Sequence, residues 1–195
     1  LSQNPEKSRS GKAWLQVARC YQKKGDTEKA RDAALQALEI EKNAVSLSQM
    51  DVLVDSLKSN SSLTELYLRE CDLTNVHCAR LANLLRTNRS IARLAVEGNT
   101  QVDDDGCLQL VKSRRSNPTL ASLNMAKLTN LSDQGRMSIV KELESDTYLH
   151  NLDLSHKEGE AFAPDCTADL EKALQKNYGL EKLHIDIQDK GCRSR

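Results

Sequence analysis

From residue 60 onward the apolar positions follow two alternating rhythms. Leu63, Leu66 and Leu68 set the first, and it returns at Ile91, Leu94 and Val96, then at Leu120, Leu123 and Met125. Leu149, Leu152 and Leu154 repeat it, as do Leu180, Leu183 and Ile185. The units start at 63, 91, 120, 149 and 180, so they lie 28, 29, 29 and 31 residues apart. Within each, alternate residues are apolar, which predicts a short strand with one buried face. The second rhythm is helical: Cys78, Leu81, Leu84 and Leu85; Cys107, Leu110 and Val111; Arg136, Ile139 and Leu143; Thr167, Leu170 and Leu174. Thr74, the run Asp103-Asp104-Asp105 and Ser132 stand where these helices begin and can accept from their free N–H groups, and Pro164 suits a first turn. A repeat of this length that alternates strand and helix cannot bury its apolar faces alone, so neighbours must stack.

The first 43 residues read differently. Trp14, Val17, Ala18, Tyr21, Gly25, Ala30, Ala34 and Ala37 are spaced as in a tetratricopeptide repeat, with Val17 and Ala18 replacing the usual Leu and Gly. This resemblance implies two helices, roughly 11–23 and 27–40, joined at Gly25-Asp26. Leu35, Leu38, Ile40 and Asn43 also fit the strand rhythm, 28 residues before the unit at Leu63. The strong helix formers between Glu28 and Glu39 assign 35–43 to the end of a helix. Residues 44–60 are then a helical half-repeat covering the solenoid edge.

The repeated units resemble leucine-rich repeats of the ribonuclease-inhibitor type. Cys71, Leu73, Thr74, Cys78, Leu81, Ala82 and Leu85 fall at that family's positions, and Asn99, Val102, Asp105 and Gly106 fit its alternative turn. Leu128 and Lys157 depart from it. The resemblance implies an α/β leucine-rich-repeat solenoid over 44–195, with parallel strands on a concave side and helices on a convex one. A tetratricopeptide hairpin over 1–43 would precede it. This pairing is similar in architecture to Tonsoku-like proteins, which implies histone binding in replication and repair as one reading. Inhibition of an enzyme such as a ribonuclease is another.

Composition sharpens this. Only Trp14, Phe162 and four tyrosines are aromatic, as expected when leucines fill a thin core. Lys and Arg total 28 and Asp and Glu total 28, so no basic excess points to nucleic acid. No apolar run approaches a membrane span. The chain opens at Leu1 rather than Met and is read as a fragment. The six cysteines include no Cys-x-x-Cys pair, and Cys71, Cys78 and Cys107 occupy core positions. Buried free thiols place the protein in a reducing, intracellular compartment, cytoplasmic or nuclear.

No catalytic constellation, cofactor loop or metal motif stands out, so the expected class is a non-enzymatic scaffold or regulator that binds a protein or peptide. Neither a cofactor nor a small-molecule substrate is expected, and no direct nucleic-acid contact. His77, His150, His156 and His184 lie on different units. Asn60, Asn88 and Asn130 begin Asn-x-Ser triplets, but Asn60 and Asn88 also hold the repeat's fixed asparagine. The outward strand positions form three columns: Glu65, Arg93, Ser122, Asn151, Lys182; Tyr67, Ala95, Asn124, Asp153, His184; and Arg69, Glu97, Ala126, Ser155, Asp186. The candidate contact residues are Glu65, Tyr67, Arg69, Arg93, Glu97, Asn124, Asn151, Asp153, Lys182 and His184, with Tyr67, Arg69, Arg93 and Asp153 foremost.

Overall fold

The computed structural model describes residues 37–144, 146–155 and 167–186. Among these residues six strands and five α-helices alternate: β1 (Ala37–Glu41), α1 (Leu47–Lys58), β2 (Glu65–Arg69), α2 (Asn75–Thr87), β3 (Arg93–Ala95), α3 (Asp104–Ser113), β4 (Ser122–Asn124), α4 (Asp133–Glu142), β5 (Asn151–Asp153), α5 (Thr167–Lys176) and β6 (Lys182–His184). All five strand pairings are parallel, in sequence order. The register is uniform. Leu38, Leu66, Leu94, Leu123, Leu152 and Leu183 face one another across the sheet. Their side chains enter a continuous aliphatic core with Leu81, Leu110 and Ile139 from the helices. The result is a mixed α/β, leucine-rich-repeat-type fold.

One expectation is overturned. Residues 37–41, assigned above to a helix, form β1 and continue the sheet. Helix propensity there is a fraction of a kcal/mol per residue. Strand formation instead buries Leu38 at 6% exposure and completes a ladder with β2. Consequently α1 is no edge half-repeat but the helix of a full strand–helix unit. The other residues of the expected tetratricopeptide hairpin, 1–36, lie outside the described residues. The Tonsoku-like reading rests on that hairpin. Pro164 and Lys157 also lie outside them.

Three recurring devices hold the units in step. Asn60, Asn88, Asn117 and Asn177 each accept, through Oδ1, the N–H groups two and three residues ahead. The Nδ2 of Asn88 reaches back to the carbonyls of Leu57 (2.9 Å) and Asn60 (3.0 Å), and Asn117 donates likewise to Leu85 (2.7 Å). The Asn-x-Ser triplets at 60 and 88 therefore belong to the turn. Second, Lys42, Glu70, Gly98 and Lys127 share the left-handed conformation at strand ends, with φ between 51° and 72°. Third, helix caps link across units: Asn75 Nδ2 donates to Asp103 Oδ1 (2.7 Å), and Ser132 Oγ to Asp104 Oδ2 (2.6 Å). Thr74 and Ser132 are N-caps, as the sequence predicts, and of the run Asp103-Asp104-Asp105 the first residue is the cap.

Arg136 shows how a polar residue enters this core. It stands in α4 where α2 and α3 carry Cys78 and Cys107, and is 1% exposed. Its Nε donates to the Leu154 carbonyl at 3.3 Å and its Nη1 to that of Leu131. A buried cation is tolerable when hydrogen-bonded in this way.

Candidate functional site

The open face of the sheet carries the side chains that alternate with the leucine row. Pairing aligns Ala37, Glu65, Arg93, Ser122, Asn151 and Lys182 in one column and Glu39, Tyr67, Ala95, Asn124, Asp153 and His184 in the next. The expected first two columns are thus present, each extended by a residue of β1. Of the third, Arg69 pairs with Glu41.

The two ends of this face differ in their electrostatics. Over β1 to β3 the charges satisfy one another. Arg93 is hydrogen-bonded to Glu65 Oε1, whose other oxygen accepts from the Tyr67 hydroxyl at 2.6 Å. That carboxylate raises the Tyr67 hydroxyl pKa above its ordinary value. Arg69 bonds Glu39, stacks its guanidinium 4.6 Å from the Tyr67 ring centre and lies 3.8 Å from Glu97. Glu97 also accepts from Lys127 Nζ (2.7 Å) and Asn124 Nδ2 (3.3 Å). The Glu97 carboxylate holds the Lys127 ammonium pKa above the usual lysine range. Glu65, Tyr67, Arg69, Arg93 and Glu97 are therefore brought together, chiefly as partners of one another.

Over β4 to β6 the arrangement is looser. Ser122, Asn124, Asn151, Asp153, Lys182 and His184 rim a shallow hollow of about 200 Å³ floored by Leu123 and Leu152. Asp153 accepts from Ser155 N (3.0 Å) and Oγ (2.6 Å), and His184 Nδ1 lies 3.8 Å from its other oxygen. The side chains of Ser122, Asn151 and Lys182 make no such bonds within the described residues. They offer a hydroxyl, an amide and an ammonium group outward, a set that hydrogen-bonds peptide groups without demanding one charge sign.

Other candidate chemistry is quiet. Cys71, Cys78 and Cys107 are free and buried. Burial lifts the thiol of Cys71 to about 11 and that of Cys78 to about 12, and raises Cys107 further. His77 is buried at the start of α2, where Nδ1 accepts from Thr74 N at 3.1 Å. Among the described residues no three His, Cys, Asp or Glu side chains gather as a metal site. No helix among them is long and apolar enough to cross a membrane.

No protein-family model matches the chain, and no curated protein does. Solved structures do match in fold. A structure described as Leiomodin-1 Actin-Binding Site 2 (ABS2) superposes with a TM-score of 0.63 at 22% identity, covering 76% of this chain and 83% of its own. The tropomodulin C-terminal domain of Caenorhabditis elegans gives 0.62 at 13% identity, covering 72% and 84%. At these identities the likeness is one of architecture.

Proposed function

We propose that the chain is a non-enzymatic protein-interaction module that holds a peptide or protein surface against the sheet face over β4, β5 and β6. One observation supports this above others. The charged groups over β1 to β3 are spent on one another, whereas Ser122, Asn151 and Lys182 around the hollow are not. An unpaired donor or acceptor on a rigid strand gains a hydrogen bond on binding without first breaking one. In this reading Tyr67, Arg69 and Arg93 form a fixed flank, and Asn124, Asn151, Asp153, Lys182 and His184 make contact.

The test compares partners captured from cell lysate by wild type, by Asn151→Arg/Lys182→Glu and by Tyr67→Ala/Arg93→Glu. The first variant is expected to lose the wild-type partner, and the second to retain it. Unchanged capture by Asn151→Arg/Lys182→Glu overturns the proposal.

A second reading follows from the fold likeness to the leiomodin actin-binding site. Actin would then be the partner, and wild type would co-sediment with filaments or shift monomeric actin on a native gel. No binding to either form removes this reading and leaves the first standing.

A further inference from the structure

The helical side carries a second surface, remote from the sheet face. A groove of about 750 Å³ runs across the ends of α3, α4 and α5, lined by Leu108, Lys112, Arg115, Lys141, Glu142 and Lys176, together with Ser138 and Glu144. Four basic side chains thus meet two acidic ones. The acids are already committed: Glu142 pairs with Arg115 at 2.6 Å and Glu144 with Lys176 at 3.2 Å, each across neighbouring units. Lys112 and Lys141 are exposed and make no ion pair within the described residues.

Cations near helix C-termini ordinarily complement the helix dipole. That accounts for Lys58 and Arg86, the basic residues in the last turns of α1 and α2. Lys58 bonds Asp55 at 2.8 Å and Arg86 bonds Asn83. Counting by the repeat, Asp55 and Asn83 hold the position that Lys112, Lys141 and Lys172 hold in the next three helices. The first two units place a local partner at that position. The last three place a cation there instead, and Lys112 and Lys141, themselves in the last turns of α3 and α4, have no such local partner among the described residues.

We propose that this groove docks an acidic, Asp/Glu-rich peptide segment of a partner protein. Lys112 and Lys141 take its carboxylates, and Leu108 gives an apolar floor. A peptide fits better than a nucleic acid. Glu142 and Glu144 on the walls oppose a continuous phosphate chain, whereas a peptide can space its carboxylates away from them.

The experiment uses the full chain and a fluorescein-labelled peptide of alternating Glu and Ser, read by anisotropy at low salt. Wild type is expected to bind saturably and to release the peptide at about 0.5 M NaCl, where charges beyond a few ångströms are screened. Lys112→Glu/Lys141→Glu is expected to weaken binding about tenfold or more. Lys42→Glu/Lys58→Glu, the same charge change at exposed positions outside both surfaces, is expected to weaken it less than about twofold. Should the first variant fail to fold by circular dichroism, Lys112→Gln/Lys141→Gln replaces it, with a loss of at least about threefold expected. The proposal is overturned by no saturable binding, by equal loss in the control pair, or by single-stranded DNA displacing the peptide at a lower concentration than unlabelled peptide.

Discussion

Arg114 and Asp146 form a buried ion pair where the units on either side have an asparagine rung. Asp146 sits where Asn60, Asn88, Asn117 and Asn177 sit in four other units, and still accepts from Tyr148 N (2.8 Å) and Leu149 N (2.9 Å). A carboxylate has no N–H to send back to the preceding unit. Instead Arg114 of that unit reaches forward, its Nη2 3.1 Å from Asp146 Oδ1, under the Tyr148 ring at 5.1 Å. The side chains are 2% and 11% exposed.

Removing one member of such a pair strands the other in a poorly solvated place. Arg114→Met is expected to lower unfolding free energy by about 3 kcal/mol. Adding Asp146→Asn should restore part of it, because the amide keeps both turn bonds and regains a donor. Urea denaturation of the three proteins measures this, and a single-variant loss under about 0.5 kcal/mol would place the pair among surface ones.

Gly106 and Gly135 are set by close approach. A Cβ at Gly106 would strike Asn75 Oδ1, and one at Gly135 the Asp104 carboxylate. Alanine favours helix over glycine by about 1 kcal/mol. Even so, Gly106→Ala is expected to destabilise by about 1–2 kcal/mol, since it displaces the Asn75–Asp103 link. Coupling supplies the check. In an Asn75→Ala background the same change should become neutral or stabilising, and simple additivity of the two losses would sink the idea.

His77 gives the fold a defined pH slope. Burial lowers its pKa below the ordinary histidine value. Between the two values the unfolded chain binds more protons than the native one, so stability rises with pH and falls as acid is added. Protonation also turns Nδ1 from acceptor to donor and breaks its bond from Thr74 N. Gln49 fills the same cap position in α1, accepting from Ser46 N at 2.8 Å. His77→Gln should therefore fold and flatten the stability profile below the ordinary histidine value of about 6.5. Parallel profiles for the two proteins would contradict the assignment.

The buried thiols should be inert while the protein is folded. Only thiolate reacts, and Cys71 near 11 and Cys78 near 12 hold almost none at neutral pH. Iodoacetamide followed by peptide mass mapping is expected to leave Cys71, Cys78 and Cys107 unmodified in native protein and to label all three in denaturant. Native labelling at Cys78 would show that the core opens more readily than its packing implies.

Much of this was readable in advance where the signal is periodic. The strand leucines and helix positions repeat every 28 to 31 residues, and that spacing anticipates β2 to β6 with their register. At 37–41 the same rhythm competed with helix formers, and tertiary pairing with β2 decided the outcome. The outward columns followed from alternation. Which of their members are occupied did not, because Glu39 and Lys127, which bond Arg69 and Glu97, stood outside the columns. The groove depends on which unit each cation reaches, and a linear sequence does not record that.

The split character of the sheet face has an evolutionary side. Over β1 to β3, replacing Glu65, Arg69, Arg93 or Glu97 leaves an opposite charge without its partner, so a change at one favours a change at the other. Ser122, Asn151 and Lys182 answer to no neighbour. A lineage carrying this chain can retarget its sheet face there one substitution at a time, with the leucine frame beneath undisturbed.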